Sequence, residues 1–329
     1  MKDLTATFGR HFVICGYLPA VAFLFLLRIL VVPHLPATWQ TELTNLSGTQ
    51  LGADLALYVI GPLVLGSLLV SLSPQIIRLY KGDYWPFLVR KQTSEEHYEL
   101  AAELHKNVDE MLAAMDAADS ERVRELRGDL SAVLEQLHRM SGGVLILEPT
   151  NLKPTRLGNV LAAMEEYPDR SYGMVAALLW PRLLGVIPKE FQARIKSQNT
   201  DLMFLLNLSA SCLVFAVAWV VLGIGSMLHW TGIPTILWWS VLVGVLAGVY
   251  VFYRLAVTAA TSLAESVMSA FDLYRGELCK QYRITAPSTA DAESAVWRRL
   301  GFFIALGDRR FYPPLASTHV QKPEAPEDP

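Results

Sequence analysis

PTILWWSVLVGVLAGVYVFYRLAVTAATSLAESVMSAFDLYRGELCKQY, residues 234–282, decides the fold. Its first part is soluble in lipid: no side chain from Ile236 to Phe252 is charged, and the first charge is Arg254. Past Arg254 the stretch does not stop. No proline or glycine interrupts the next twenty or so residues. The apolar positions narrow to one stripe: Val257, then Leu263, Val267, Phe271, Tyr274 and Leu278 at steps of four and three. That is the helical period with a single wet face. One helix is therefore expected to leave a bilayer and continue as a stalk in water. At ~1.5 Å per residue the stalk would reach roughly 35–40 Å beyond the lipid. Its stripe must be covered, and Phe271 is the largest member. The expected covers are the 154–185 region, a hairpin stripe led by Leu104 and Leu130, or the same stripe of a second subunit.

Composition agrees with a chain divided between two solvents. The 329 residues are 52% hydrophobic and 18% charged, against about 25% charged in soluble domains. Apolar blocks with almost no charge flank a long charged middle. A net charge of −3 gives no basic footprint, so no nucleic-acid partner is expected. Cys15, Cys212 and Cys279 have spacings that suit neither a disulfide framework nor a metal site. No metal and no cofactor is expected.

Working outward, residues 1–91 are read as a polar arm, two spans and a membrane-surface segment. Phe12 to Val32 has the ~20 residues that cross a bilayer core. A secretory signal peptide is the alternative. The apolar block is longer than such a core, and no A-x-A site follows it. Arg28 lies about a turn from the outer end of this span, where snorkelling to the interface is the simple reading. A pair with Asp54, at similar depth in the second span Gly52–Leu72, is the sharper one. Ser73–Lys91 interleaves Tyr80, Tyr84, Trp85 and Phe87 with basic residues including Lys81. Aromatics favour the headgroup layer and cations favour anionic lipid. The segment is expected to lie along the inner surface, or else to be an ordinary packed turn.

Residues 92–187 are read as a cytosolic helical domain. Thr93–Ala118 and Ser120–Met140 carry apolar residues at three-and-four steps, which predicts an antiparallel hairpin. Asp119 and Ser120 suit a tight turn with an N-cap. Val144–Leu147 has the look of a short buried strand. Two short helices follow, Leu157–Tyr167 and Tyr172–Leu184, the second kinked or ended by Pro181. Residues 188–258 hold spans three and four, and 259–310 the stalk and a further short helix. From 311 to 329 the tail is rich in proline and acid and is expected to be disordered. The outer connections 33–51 and 229–233 contain no Lys or Arg. The positive-inside rule then places both termini and the middle segment in the cytosol.

Chemistry-bearing motifs are few. H-E-x-x-H, G-x-S-x-G and G-x-x-x-x-G-K-[ST] are all missing from the sequence, and no catalytic residue is assigned. His97 and His105 share a helix with Glu103 and Asp109, which a solvated face explains. Glu165-Glu166 reads as a charged helix end. Gly244 and Gly248 form G-x-x-x-G, which lets helix backbones approach closely. The motif serves packing within one subunit or self-association. Asn207 and Ser211 share a face with Ser209 and Cys212 nearby. They supply one interhelical hydrogen bond or line a polar conduit.

Four patches carry a resemblance: YKGDYWP at 80–86, PTRLGNVLAAMEEYPDRSYGMVAALLWPRL at 154–183, LNLS at 206–209, and FDLYRGEL at 271–278 with Trp297 after it. They resemble a group of uncharacterised bacterial four-span inner-membrane proteins. Those have an aromatic-glycine patch after span two, LGN…YG…WPRL before span three and FDL-x-R after span four. The resemblance implies the four-span layout and a bacterial inner membrane. It implies no activity.

The expectation is an all-α polytopic membrane protein with four transmembrane helices and a cytosolic helical domain. Its expected role is a non-enzymatic membrane-anchored scaffold or sensor. The alternative is an oligomeric ion channel or membrane-permeabilising effector gated by that domain. The expected partners are the lipid bilayer, a further copy of the chain, or a cytosolic protein.

Overall fold

The computed structural model describes residue 9 and residues 11–34, 59–84, 87–117, 119–141, 153–227, 233–285 and 287–313. Over 87–98 and 136–141, and at 100, 101, 105, 120 and 134, it describes the backbone alone. Among the described residues the regular structure is helical, with no strand. The expected strand at Val144–Leu147, Asp54, Trp85, and all but the first three residues (311–313) of the tail lie outside them.

The helices in order are α1 (Val13–His34), α2 (Gly61–Lys81), α3 (Phe87–Asp116), α4 (Ser120–Ser141), α5 (Arg156–Tyr172), α6 (Ala176–Leu183), α7 (Lys189–Met227), α8 (Thr235–Gln281) and α9 (Ala290–Leu306). Helix α1 is α-helical only over Leu18–Leu26. It is π-helical over Val13–Tyr17 and Leu27–Val31, and it ends in a 3-10 turn. Helices α1, α2, α7 and α8 are each long and apolar enough to cross a membrane. The stretch quoted first is one unbroken helix, α8, of 47 residues.

Several helices pass through prolines at which the sequence reading stopped. The second span was expected to end at Leu72 and give way to a surface segment. Instead α2 continues through Pro74 to Lys81. Around Pro74 the hydroxyls of Ser67, Ser71 and Ser73 donate to carbonyls four residues back, as Ser and Thr do in apolar helices. Gly82, in the left-handed region with φ +83°, ends α2. Helix α3 starts at Phe87, six residues before the expected Thr93. Likewise α5 runs past Tyr167 and Pro168 to Tyr172. There Gly173, at φ +70°, breaks the chain, and α6 begins only at Ala176 rather than at Tyr172. A Cβ on Gly173 would approach the Ser294 carbonyl oxygen at 3.0 Å, so the position is tight as well as left-handed.

The chain divides into two compact units. The first takes its described residues from 1–162 and 195–264, the second from 163–194 and 265–329. Residues of the 92–187 stretch fall in both. In the first unit α3 and α4 pack on each other. The Asp119 carboxylate accepts from the Arg122 backbone N–H (3.1 Å), and Arg122 reaches Glu110 across the turn (3.0 Å). Helices α1 and α2 cross where Gly16 meets Gly66: a Cβ on Gly16 would stand 2.6 Å from the Gly66 carbonyl oxygen. Phe215, Trp219 and Leu242 form a buried cluster with Val31, and Phe23 meets Phe215 edge-on at 6.3 Å. Trp219 and Trp238 clasp α7 to α8, each indole N–H donating to the other's carbonyl oxygen (3.0 and 3.1 Å). Gly223 leaves room for the Trp238 ring.

The second unit has its own core, made by Met174, Leu179, Leu183, Phe271, Leu278, Trp297 and Leu300, each at most 2% exposed. Phe271 lies against Trp180 (5.8 Å between centroids), and Tyr274 meets Phe191 edge-on (5.7 Å). Among the expected covers of the stalk stripe, the 154–185 region therefore supplies the ring that meets Phe271. Helix α9 starts at Thr289, whose hydroxyl caps the Ala292 N–H (3.2 Å), and ends at Gly307.

Candidate functional site

The polar residues singled out in the sequence gather in two joints, one in each unit. The first surrounds the C-terminal end of α2. The Tyr80 carbonyl accepts from the Thr155 hydroxyl (2.7 Å), which itself accepts from the Gly158 N–H and so caps α5. Lys153 pairs with Asp83 (3.1 Å). Asn159, 3% exposed, accepts from the Lys153 backbone N–H (2.7 Å). The two glycines are explained by contact: a Cβ on Gly158 would lie 2.4 Å from the Lys81 carbonyl oxygen, and one on Gly82 2.5 Å from the Pro154 ring. YKGD and KPTRLGN, about seventy positions apart in the chain, thus form one interlock.

Tyr80 extends this joint inward. Its ring stacks on Tyr253 of α8 (5.9 Å) and its hydroxyl meets Ser209 of α7 at 2.8 Å. Ser209 donates onward to the Val249 carbonyl (3.1 Å), so the Tyr80 hydroxyl is the donor between the two. Asn207, 1% exposed, donates to the Cys15 carbonyl of α1 (2.7 Å) and to the Ser73 hydroxyl of α2 (3.3 Å). Its Oδ1 is buried with no hydrogen-bond partner among the described residues. Ser211 donates to the Asn207 carbonyl in its own helix (2.8 Å). At the start of α1, His11 meets the Thr200 hydroxyl (3.2 Å). Burial, and secondarily Lys196, hold its imidazole below the ordinary histidine value.

The second joint lies on the stalk part of α8. Tyr167 and Tyr172 donate to the same carboxylate oxygen of Asp272 (2.8 and 2.7 Å). Arg275 lies over the Tyr172 ring (4.2 Å to the centroid), donates to the Asp272 carbonyl, and pairs with Glu293 of α9 (2.8 Å). Glu293 also accepts from the Trp297 indole (3.3 Å). Burial, followed by the bond to Asp272, raises the ionisation of both phenols above the ordinary tyrosine value. Two phenols on one carboxylate oxygen, with a guanidinium stacked on one ring, make a closed charge-assisted network. Its members tie α5, α8 and α9.

The remaining expected site residues fall as follows. Tyr80 is turned into helix packing, not along a headgroup layer, because α2 continues as a helix to Lys81 and carries its ring onto Tyr253. Tyr84 is 63% exposed. Arg28 is exposed on α1, and its proposed partner Asp54 is outside the described residues. Gly248 faces Cys212 Sγ at 3.7 Å from a Cβ position, whereas Gly244 has nothing within 4 Å. The close crossing of apolar helices falls instead at Gly16 and Gly66, which the sequence reading did not single out. Asn207, Ser209 and Ser211 are all buried. Among the described residues no cluster of His, Cys, Asp and Glu could hold a metal ion. Compared with protein-family models, with curated proteins and with solved structures, the chain matches none of them, so the chemistry of both joints is argued from its own residues.

Proposed function

We propose that this chain is a multi-pass protein of a bacterial inner membrane, with both termini and the second unit in the cytosol. There it acts as a non-enzymatic scaffold or sensor through its helical unit. One observation carries the reading: the polar residues of the quoted patches are spent on joints between helices. Tyr80, Thr155, Asn207 and Ser209 bond to helix carbonyls and to one another. Tyr167, Tyr172, Asp272, Arg275 and Glu293 do the same in the second unit. Such networks rigidify and specify a packing arrangement. A catalytic centre would instead hold groups poised toward a substrate.

The membrane placement rests on four helices of sufficient length and apolarity. It also rests on the apolar residues they leave exposed, among them Val64, Leu68, Val214, Val217, Val221, Ile236 and Val243, which lipid tails would solvate. Orientation rests on the missing Lys and Arg in the outer connections, and the bacterial source on the resemblance above. Intramembrane amides and hydroxyls that bond to neighbouring helices serve association rather than conduction. The test is single-channel recording from purified protein in planar bilayers. The scaffold reading expects a silent membrane; unitary conductance abolished by Asn207→Leu would replace it with the oligomeric channel.

A further inference from the structure

We infer that α9 and the turn after it dock on an anionic lipid surface. The inference rests on the membrane placement proposed above. Around α9 the positions 295, 298, 299, 302, 305 and 306 recur at helical spacing, and all are exposed. The opposite side carries buried Trp297, Leu300 and Gly301. The exposed stripe is not a solvated face of the ordinary kind. It holds Phe302 (53% exposed) and Leu306 (65% exposed) between Arg298 and Arg299 at one end and Arg309 and Arg310 at the other. Phe302 lies against Phe311 with the rings tilted (5.6 Å between centroids), which gives an aromatic pair at the edge of the stripe.

Large apolar side chains on a face flanked by arginines are the composition of a helix that lies in a membrane interface. The apolar groups enter the boundary between headgroups and acyl chains, and the guanidiniums pair with lipid phosphates. The opposing charges are fewer: Asp291 at the N-terminal end of the stripe, and Asp308, which already binds Arg310 at 2.6 Å. The surplus is positive and complements an anionic leaflet. Connectivity adds to this. In sequence, the second unit resumes at Glu265, about ten residues after Arg254 closes the apolar part of α8, within the same unbroken helix. A surface so tethered meets its bilayer at high effective concentration, so weak contacts suffice.

The experiment uses the full chain in lipid nanodiscs, with a coumarin amino acid at Ala305 and nitroxide headgroup lipid as quencher. One set of discs is phosphatidylcholine alone; the other holds roughly a third phosphatidylglycerol. Quenching is expected in the anionic discs and lost in the neutral ones and at high salt. An arginine at an anionic surface is worth about fivefold in binding. Arg298→Gln with Arg309→Gln should therefore lower the docked-to-undocked ratio about 25-fold, and Phe302→Ser with Leu306→Ser should lower it as well. Equal quenching in both lipids, no quenching in either, or quenching that the arginine variant leaves unchanged would overturn the inference. Shielding of the label that tracks the number of chains per disc would assign the face to a second copy, and equally overturn it. Protease protection of the spans is read in the same discs. Loss of quenching with protected spans refutes only the docking; unprotected spans refute the membrane placement.

Discussion

Replacing Phe271 by alanine tests the stalk at its most buried aromatic. The side chain is 1% exposed and lies 5.8 Å from the Trp180 ring, in a core that also holds Leu278, Trp297 and Leu179. Removing a buried phenyl loses its transfer energy and leaves a cavity, for about 3–5 kcal/mol. A lost aromatic pair accounts for roughly 0.5–1.5 kcal/mol of contact beyond area. A unit of this size loses ~4–8 °C in melting temperature per kcal/mol, so the second unit should melt more than about 10 °C earlier. The damage should be local. In proteoliposomes, trypsin should cut Phe271→Ala faster within 163–194 and after Glu265, while the fragment holding Leu237 to Phe252 stays protected. Leu273→Ala is the control, since Leu273 is 65% exposed on the same helix and its truncation should stay within about 0.5 kcal/mol. Wild-type cleavage together with wild-type melting of Phe271→Ala would show that the stripe is not packed, and would refute the reasoning.

Three further predictions follow from the joints and the crossings. Gly16→Val should strongly destabilise the protein in detergent melts, because a Cβ there meets the Gly66 backbone at 2.6 Å, whereas Gly244→Ala should be silent; the reverse order would restore G-x-x-x-G as the close contact. A double-mutant cycle of Tyr172→Phe and Asp272→Asn should return a coupling of about 1–2 kcal/mol, and a value near zero would dissolve the second joint. Tyr167 and Tyr172 have raised folded-state values, so the stability they lend is present below the unfolded value and lost as pH rises through the folded one. Absorbance at the phenolate band should therefore show these two phenols ionising above the ordinary ~10; Asp272→Asn should bring them down.

Some of this was legible in the chain and some was not, for physical reasons that differ by residue. Spans three and four were readable because about twenty uncharged residues leave few alternatives to a helix in lipid. The continuation of α8 was readable because its stripe keeps the helical period past Arg254. Helix α2 reads as ending at Leu72 because the apolar run gives way there to a segment carrying Arg78 and Lys81, whereas the helix continues through Pro74 to Lys81. Tyr80 was misplaced as a consequence. Gly82 and Gly158 sit inside patches that drew notice, but that one faces Pro154 and the other Lys81 is a tertiary fact with no local trace. The same holds for Gly16 and Gly66, single glycines in two different spans. Asp272 and its two tyrosines lie on separate patches, and only folding brings the three oxygens together.

The central claim is that one helix passes from lipid into the core of a water-exposed unit. A nitroxide scan along α8 from Trp238 to Leu278, in proteoliposomes, measures it most directly. Oxygen accessibility should dominate up to about Arg254. Beyond it, accessibility to a water-soluble nickel complex should oscillate with the helical period, with minima at Val257, Leu263, Val267, Phe271 and Leu278, which are all buried. A loss of that period between Arg254 and Leu278, or nickel access at Val243 and Val251, would contradict the account.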